Sequence, residues 1–255
     1  MSKKLKGTGS PTMIFHIITL FPEIFAPFSK SSIIGRAANT ELITINLLNL
    51  RNFAKDRHAT VDDKPFGGGR GMVLKVDVVV SAIQSIKSHP YTILLSASGR
   101  PYNQKMAYDL SRKKSLTLVC GHYEGVDARV ENFVDDVISI GDFVMTGGEI
   151  AAMAIVDSVT RLIPGAIAEG SIETESFSKI GNLLEYTQYT RPEEFRDLKV
   201  PKVLLSGNHK EIEDWRQKEA LRRTRKFRPD LLKLSRKTSK TKGGTVRFAL
   251  KVKTA

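Results

Sequence analysis

The chain has one cysteine, Cys120, so no disulfide can form within it, and it fits a reducing compartment. Cys120 closes an apolar run and reads as a small buried hydrophobe rather than a nucleophile. No stretch approaches the ~18 consecutive apolar residues of a membrane span. The start, Lys3-Lys4-Leu5-Lys6 followed by the apolar run 13–20, has the parts of a signal peptide. However, polar residues separate the two parts, and Phe21-Pro22-Glu23 offers no small-residue cleavage site. The expectation is a disordered N-terminus over 1–12, then a first core strand, in a cytoplasmic protein. Nucleotide fingerprints are missing too. Gly67-Gly68-Gly69-Arg70-Gly71 lacks the Gly-Lys-Ser/Thr of a P-loop, and Leu74 stands where a G-x-G-x-x-G needs its third glycine. That run reads as a solvated loop or as a mobile loop covering a substrate. There is no internal repeat.

Acidic residues are the scarcer sign, 27 against 40 basic, for a net charge of +13. Such an excess favours polyanions, nucleic acid first and anionic membrane second. The cations cluster late: Arg216, Lys218, Arg222, Arg223, Arg225, Lys226 and Arg228, then Lys233, Arg236, Lys237, Lys240 and Lys242. A helix C-terminus accounts for one or two of these through its dipole. Phosphate neutralisation accounts for the cluster. Trp215 and Phe227 lie among the cations, placed either for a small core or for stacking on bases.

What is present in quantity is apolar residue, 41% of 255, enough for a sizeable core. Strand patterns occur at 13–20, 42–47, 91–96, 115–120 and 136–140. Helical patterns occur at 76–87, 104–112 and 149–162. Alternation of the two predicts an α/β domain over 13–167 with a mostly parallel sheet flanked by helices. Pro164-Gly165 stops the last helix. Residues 168–182, rich in Glu, Ser, Thr and Gly, read as an exposed, flexible linker. A basic, mainly helical domain follows over 183–255. Its helix, 209–225, opens on Asn208 with Glu211 as a capping-box acid. Residues 235–245 are low in complexity, and Phe248 and Leu250 hint at a last short element.

Two loops stand out. Gly121-His122-Tyr123-Glu124-Gly125-Val126 and Ile140-Gly141-Asp142-Phe143-Val144-Met145-Thr146-Gly147-Gly148 each follow a buried-type strand. Glycine lets a ligand or a second backbone come close. Two such loops after consecutive strands predict a ligand at the carboxyl ends of a parallel sheet.

Eleven short motifs then occur in order, among them Leu20-Phe21-Pro22-Glu23, Asp56-Arg57-His58, Phe66-Gly67-Gly68-Gly69, Gly121-His122-Tyr123-Glu124-Gly125, Ser139-Ile140-Gly141-Asp142, Gly147-Gly148-Glu149, Asp157-Ser158-Val159, Tyr189-Thr190-Arg191-Pro192 and Ser206-Gly207-Asn208-His209. From about residue 14 to about residue 230 the chain resembles the bacterial tRNA (guanine-N1)-methyltransferases of the SPOUT superfamily. The resemblance implies an α/β fold with a C-terminal trefoil knot. It implies a homodimer with its active site at the subunit interface, and methyl transfer from S-adenosylmethionine to N1 of guanosine 37 of tRNA. By position it assigns cofactor binding to Leu95, Ser96, Ser98, Gly121, Tyr123, Gly125, Val126, Ile140, Gly141, Phe143, Met145, Gly147 and Gly148. It gives Arg161 the charge on guanine O6 and Glu124 the target base. The family's catalytic base is an aspartate before Ser-Phe; here Glu175 precedes Ser176-Phe177, with Glu173 the alternative. The family has Pro-Gln where this chain has Ala97-Ser98, and Pro where it has Ala151. Main-chain contacts are expected to survive both changes. The family is also credited with a need for Mg²⁺, for which the sequence offers no clustered ligand motif. The rivals are a SPOUT enzyme acting on ribosomal RNA or on a ribose, and a non-catalytic nucleic-acid binder.

Overall fold

The computed structural model describes residues 13–168, 170–172, 175–178 and 183–232. The expectations for residues 1–12, Glu173, the cations beyond Leu232, the stretch 235–245, Phe248 and Leu250 lie outside these. The chain divides into two compact units, residues 1–169 and 170–255.

The first unit runs β1 (Met13–Thr19), α1 (Phe25–Lys30), α2 (Ser32–Asn39), β2 (Ile43–Asn49), β3 (Asp62–Asp63), β4 (Val73–Leu74), α3 (Val76–Gln84), β5 (Tyr91–Pro101), α4 (Gln104–Leu110), β6 (Ser115–Cys120), β7 (Asp136–Ser139) and α5 (Glu149–Thr160). Five strands form one sheet, ordered β2-β1-β6-β5-β7, and every neighbouring pair is parallel. The α/β reading and all five predicted strands are therefore present.

A parallel sheet is covered on both faces, which is why its strands read as continuous apolar runs. Side chains alternate along each strand. Met13, Phe15 and Ile17 of β1 and Leu116, Leu118 and Cys120 of β6 pack with Ala152, Ile155, Val156 and Val159 of α5. Ile18 and Val119 turn to the other face and pack with Val78, Val79 and Ala82 of α3. α5 is buried along much of its length because its apolar residues nearly encircle it.

Two features differ from the sequence reading. α1 and α2 come from a segment with Pro22 and Pro27, in which no helix is predicted; Pro27 falls in the first turn of α1, where its missing N–H costs nothing. β5 also runs past its predicted end at 96. After Leu95 the register shifts, and Arg100 and Pro101 pair with Ile138 and Ser139 of β7. Residues 96–99 bow outwards between these pairings. Gly99 makes the return possible, since a Cβ there would lie 2.5 Å from the Ile138 backbone. Arg100 then pairs with Asp136. The Tyr102 and Ser158 hydroxyls, 2.7 Å apart, tie the end of β5 to α5. Burial pushes the Tyr102 phenol up to about 12, against the opposing pull of that hydrogen bond.

The second unit contains β8 (Glu194–Phe195) and β9 (Leu198–Lys199), a short antiparallel hairpin, then α6 (Lys202–Leu205) and α7 (His209–Phe227). Asn208 caps α7 as predicted, its side chain accepting from the N–H groups of Lys210 and Glu211. The other half of the capping box differs: the Asn208 N–H donates to Ser206 Oγ at 3.1 Å. Glu219 fixes the chain before the hairpin to α7. It accepts from Thr187 Oγ1 at 2.6 Å and from two nitrogens of Arg222 at 2.7 Å. Residues 175–178 are half-buried rather than exposed. Phe177 N–H donates to Leu183 O, and the Arg228 guanidinium lies 5.5 Å from the Phe177 ring.

Candidate cofactor cleft and nucleic-acid interface

A cleft of about 340 Å³ opens at the carboxyl ends of β5, β6 and β7, within the ~300–1,000 Å³ common for small-molecule sites. Its walls come from three loops: residues 95–98, 121–126 and 140–148. All thirteen residues that the resemblance assigns to the cofactor line it, and so does Glu124.

Backbone builds these walls. Gly148 N–H donates to Gly121 O at 2.8 Å, and His122 and Gly147 form an antiparallel bridge. A Cβ on Gly148 would lie 2.8 Å from Cys120 Cα and 3.1 Å from Gly121 N, so only glycine lets the second loop close on the first. Tyr123 holds φ of 60°, a left-handed conformation that turns the loop sharply. β4 lies alongside: Leu74 N–H donates to Gly125 O, Asp127 N–H to Leu74 O and Glu124 N–H to Met72 O, each at 3.0 Å. The glycine run 67–71 thus leads into a strand that supports the Tyr-Glu-Gly loop.

The charge of the cleft opposes that of the chain. Glu124 and Glu131 line it, and among the described residues no lysine or arginine does. Leu95, Val126, Ile140 and Met145 supply apolar surface. Four further lining residues, His122, Glu131, Ser139 and Thr146, are not among those that the resemblance assigns to the cofactor. All but Glu131 sit in or beside a glycine loop, which is signal enough; Glu131 lies in the turn after Asp127 and has none. Cys120 is buried. Burial, and then the charge of Glu149, push its thiol well above the ordinary range. That fits a packing residue and not a nucleophile.

Arg161 stands elsewhere. It caps the C-terminus of α5, its N–H donating to Asp157 O at 3.1 Å. A helix rises ~1.5 Å per residue, so Arg161 stands about 20 Å along α5 from Gly148. It is not part of the cleft lining of its own chain. Glu175 belongs to the second unit, where it is half-buried and opens a turn, its carbonyl accepting from Ser178 N–H at 3.1 Å. Among the described residues no group of three or more His, Cys, Asp or Glu could hold a metal ion.

The basic residues of α7 and its C-cap are placed differently. Arg216 lies over the Tyr186 ring, and Arg228 pairs with Asp230. Lys218, Arg222, Arg225 and Lys226 line one shallow groove with Leu221, Arg222 while also paired with Glu219. Their spacing of four, seven and eight places them on one helix face. Trp215 is half-buried beside Tyr189, with ring centroids 6.3 Å apart, whereas Phe227 is exposed under Arg223 and Lys226.

The family model for tRNA (Guanine-1)-methyltransferase TrmD matches residues 13–234. The chain belongs to this family. Curated relatives named tRNA (guanine-N(1)-)-methyltransferase agree along most of their length. That of Carboxydothermus hydrogenoformans is 53% identical over 233 residues, 90% of this chain and 91% of its own. That of Citrifermentans bemidjiense is 52% identical over 225 residues, 86% and 90% of the two chains. That of Thermus thermophilus is 48% identical over 220 residues, 86% and 92%. A glycine-walled cleft thus lies in one unit and a cationic helix face in the other.

Proposed function

We propose that this chain transfers the methyl group of S-adenosylmethionine to N1 of guanosine 37 of tRNA, the nucleotide 3′ of the anticodon. The observation that carries the reading is the cleft, walled by the backbone of three loops, in a chain of this family. Its dimensions, apolar patches and two carboxylates suit an adenosyl group joined to a sulfonium. The residues that would hold it are Leu95, Ser96, Ser98, Gly121, Tyr123, Gly125, Val126, Ile140, Gly141, Phe143, Met145, Gly147 and Gly148, largely through main-chain groups.

The bound sulfonium supplies a methyl already activated for attack. The protein must therefore make guanine N1 a nucleophile and aim it. N1 carries a proton whose removal moves negative charge onto O6. Glu175 takes that proton, Arg161 balances O6 and Glu124 holds the base. The N1 lone pair then forms the new bond to carbon, while the C–S electron pair stays on sulfur. An arginine fork suits a developing oxyanion because it stays charged and donates in a plane. General-base help contributes about 10²–10⁴-fold and positioning up to about 7–11 kcal/mol.

Because Arg161 stands a helix length from its own cleft, we infer that the working enzyme is a homodimer in which a second copy completes each site. Exposed Phe143, Val144 and Ile150 beside the cleft support this reading, since apolar side chains exposed together favour an interface. The same reading threads the chain as a trefoil knot. The tight crossings at Gly99 on Ile138 and Gly148 on Cys120 support it. The second unit grips the anticodon stem through its cations. No residue is assigned to Mg²⁺, and no step is routed through it. No helix among the described residues is long and apolar enough to cross a membrane, and we place the enzyme in the cytoplasm with its substrate.

The test is transfer of radiolabelled methyl from S-adenosylmethionine to total tRNA, followed by nucleoside analysis. The expected product is 1-methylguanosine, lost when guanosine 37 is replaced in a transcript. Label on a ribose, or protein that ignores the sulfonium compound altogether, overturns the assignment.

A further inference from the structure

Glu149 opens α5 and is only 5% exposed, yet the chemistry above gives it no task. A buried carboxylate is costly unless it is hydrogen-bonded. Here Thr19 Oγ1, itself fully buried at the end of β1, donates to Glu149 Oε1 at 2.8 Å. The first-turn position of α5 adds the favourable field of the helix amides. The same Thr19 oxygen accepts from Phe21 N–H at 3.0 Å. The Phe21 ring lies 5.0 Å from the His122 ring. His122 Nδ1 in turn accepts from Tyr123 N–H at 3.0 Å, which fixes the residue at the sharp turn of the cleft loop.

The second loop rests on the same carboxylate. A Cβ on Gly147 would collide with Glu149 Oε2 and would lie 2.8 Å from His122 Cδ2. Glu149 is therefore packed beneath Gly147 on one side and linked through Thr19 and Phe21 to His122 on the other. These two loops must keep their spacing for the cleft to keep its shape.

We propose that Glu149 is a positioning residue: with Thr19 and Phe21 it sets the distance between the two glycine loops and so the affinity for the methyl donor. The inference rests on reading the cleft as the S-adenosylmethionine site. Calorimetry of the wild-type full chain with S-adenosylmethionine tests that reading first; absence of binding there sinks the reading itself, not only the role of Glu149.

Given binding, Thr19→Val removes the hydroxyl at nearly constant volume and keeps Glu149 in place. It should raise both Kd and KM for S-adenosylmethionine about tenfold, below the ~10²-fold that a full ångström of misplacement costs. The kcat at saturating donor should stay within about twofold, because uniform binding alone is lost. Thr19→Ser should restore wild-type values. Glu149→Gln keeps an acceptor for Thr19 but loses the charge, and should fall between the two. Tyr102→Phe is the control: it breaks another hydrogen bond to α5, at Ser158, which does not line the cleft, and should lower Tm while leaving KM unchanged. Wild-type donor affinity in Thr19→Val overturns the proposal. So does a Tyr102→Phe variant that weakens donor binding as much, since that marks a general loosening of the domain.

Discussion

The cleft and the face of α7 are built by opposite means. The cleft is walled by backbone, has no lysine or arginine among its described lining residues, and carries two carboxylates in a chain of net charge +13. The α7 groove is almost all side chain and almost all cation. The first depends on where the main chain passes, so a single Cβ can spoil it, while salt should matter little. The second depends on summed charge, so no single residue is essential and salt should matter steeply.

The largest effect is expected where shape is strictest. Gly148→Val forces the second loop off Cys120, where even the first added carbon lies 2.8 Å from a Cα. Calorimetry should show S-adenosylmethionine affinity down by about a hundredfold or more, with tRNA affinity retained in a filter-binding assay. A variant that loses both equally would show that the two regions are not separable tasks.

Next in size is the chemical step. Glu175→Gln should lower the single-turnover rate by about a hundredfold, the lower range of general-base catalysis, and leave affinity for tRNA little changed. Arg161→Lys keeps the charge but not the planar fork, and most of the rate should still be missing. A normal rate in either removes that residue from the mechanism.

The contrast also explains what could be read without coordinates. The strands were legible because burial on both sheet faces writes apolar runs into the chain, and the cleft because glycines after strands have few other uses. The tail of β5 was not. Ser96-Ala97-Ser98-Gly99-Arg100-Pro101 has the composition of a turn, and only β7 recruits its last residues as strand. Glu149 was equally opaque: an acid at the start of a helix reads as a solvent-facing dipole partner, and nothing local reveals Thr19, 130 residues away, as its donor. On α7 the sequence displayed the cations but not their division. Which of them the fold engages depends on where Tyr186, Glu219 and Asp230 lie.

That division gives a smaller, graded prediction. Lys218→Gln and Arg225→Gln should each lower the slope of log Kd for tRNA against log salt concentration by about 1, with modest losses of affinity. Arg216→Gln removes a cation stacked on Tyr186 and should cost stability more than slope. Equal slopes for all three would mean that α7 presents charge without a preferred face.

The smallest effect concerns what holds that face in place. Hydrogen bonds from Arg222, and then from Thr187, draw the Glu219 carboxyl down to about 2 from its ordinary 4.5, against the opposing effect of burial. A carboxyl whose folded value is depressed adds stability above its unfolded value, and that stability is lost as pH falls towards the folded value. The contribution of Glu219 should thus be complete above about pH 4.5 and gone near pH 2. Glu219→Gln should lower stability by about 1–2 kcal/mol at pH 6, a modest figure because Arg222 is largely exposed. Trp215, the single tryptophan, sits on α7 and reports on this unit by fluorescence. The gap in Tm between wild type and variant should narrow steadily below pH 4.5. A gap that stays constant down to pH 2.5 would mean that the charge of Glu219 does not anchor α7, leaving packing around Thr224 and Leu231 to do so.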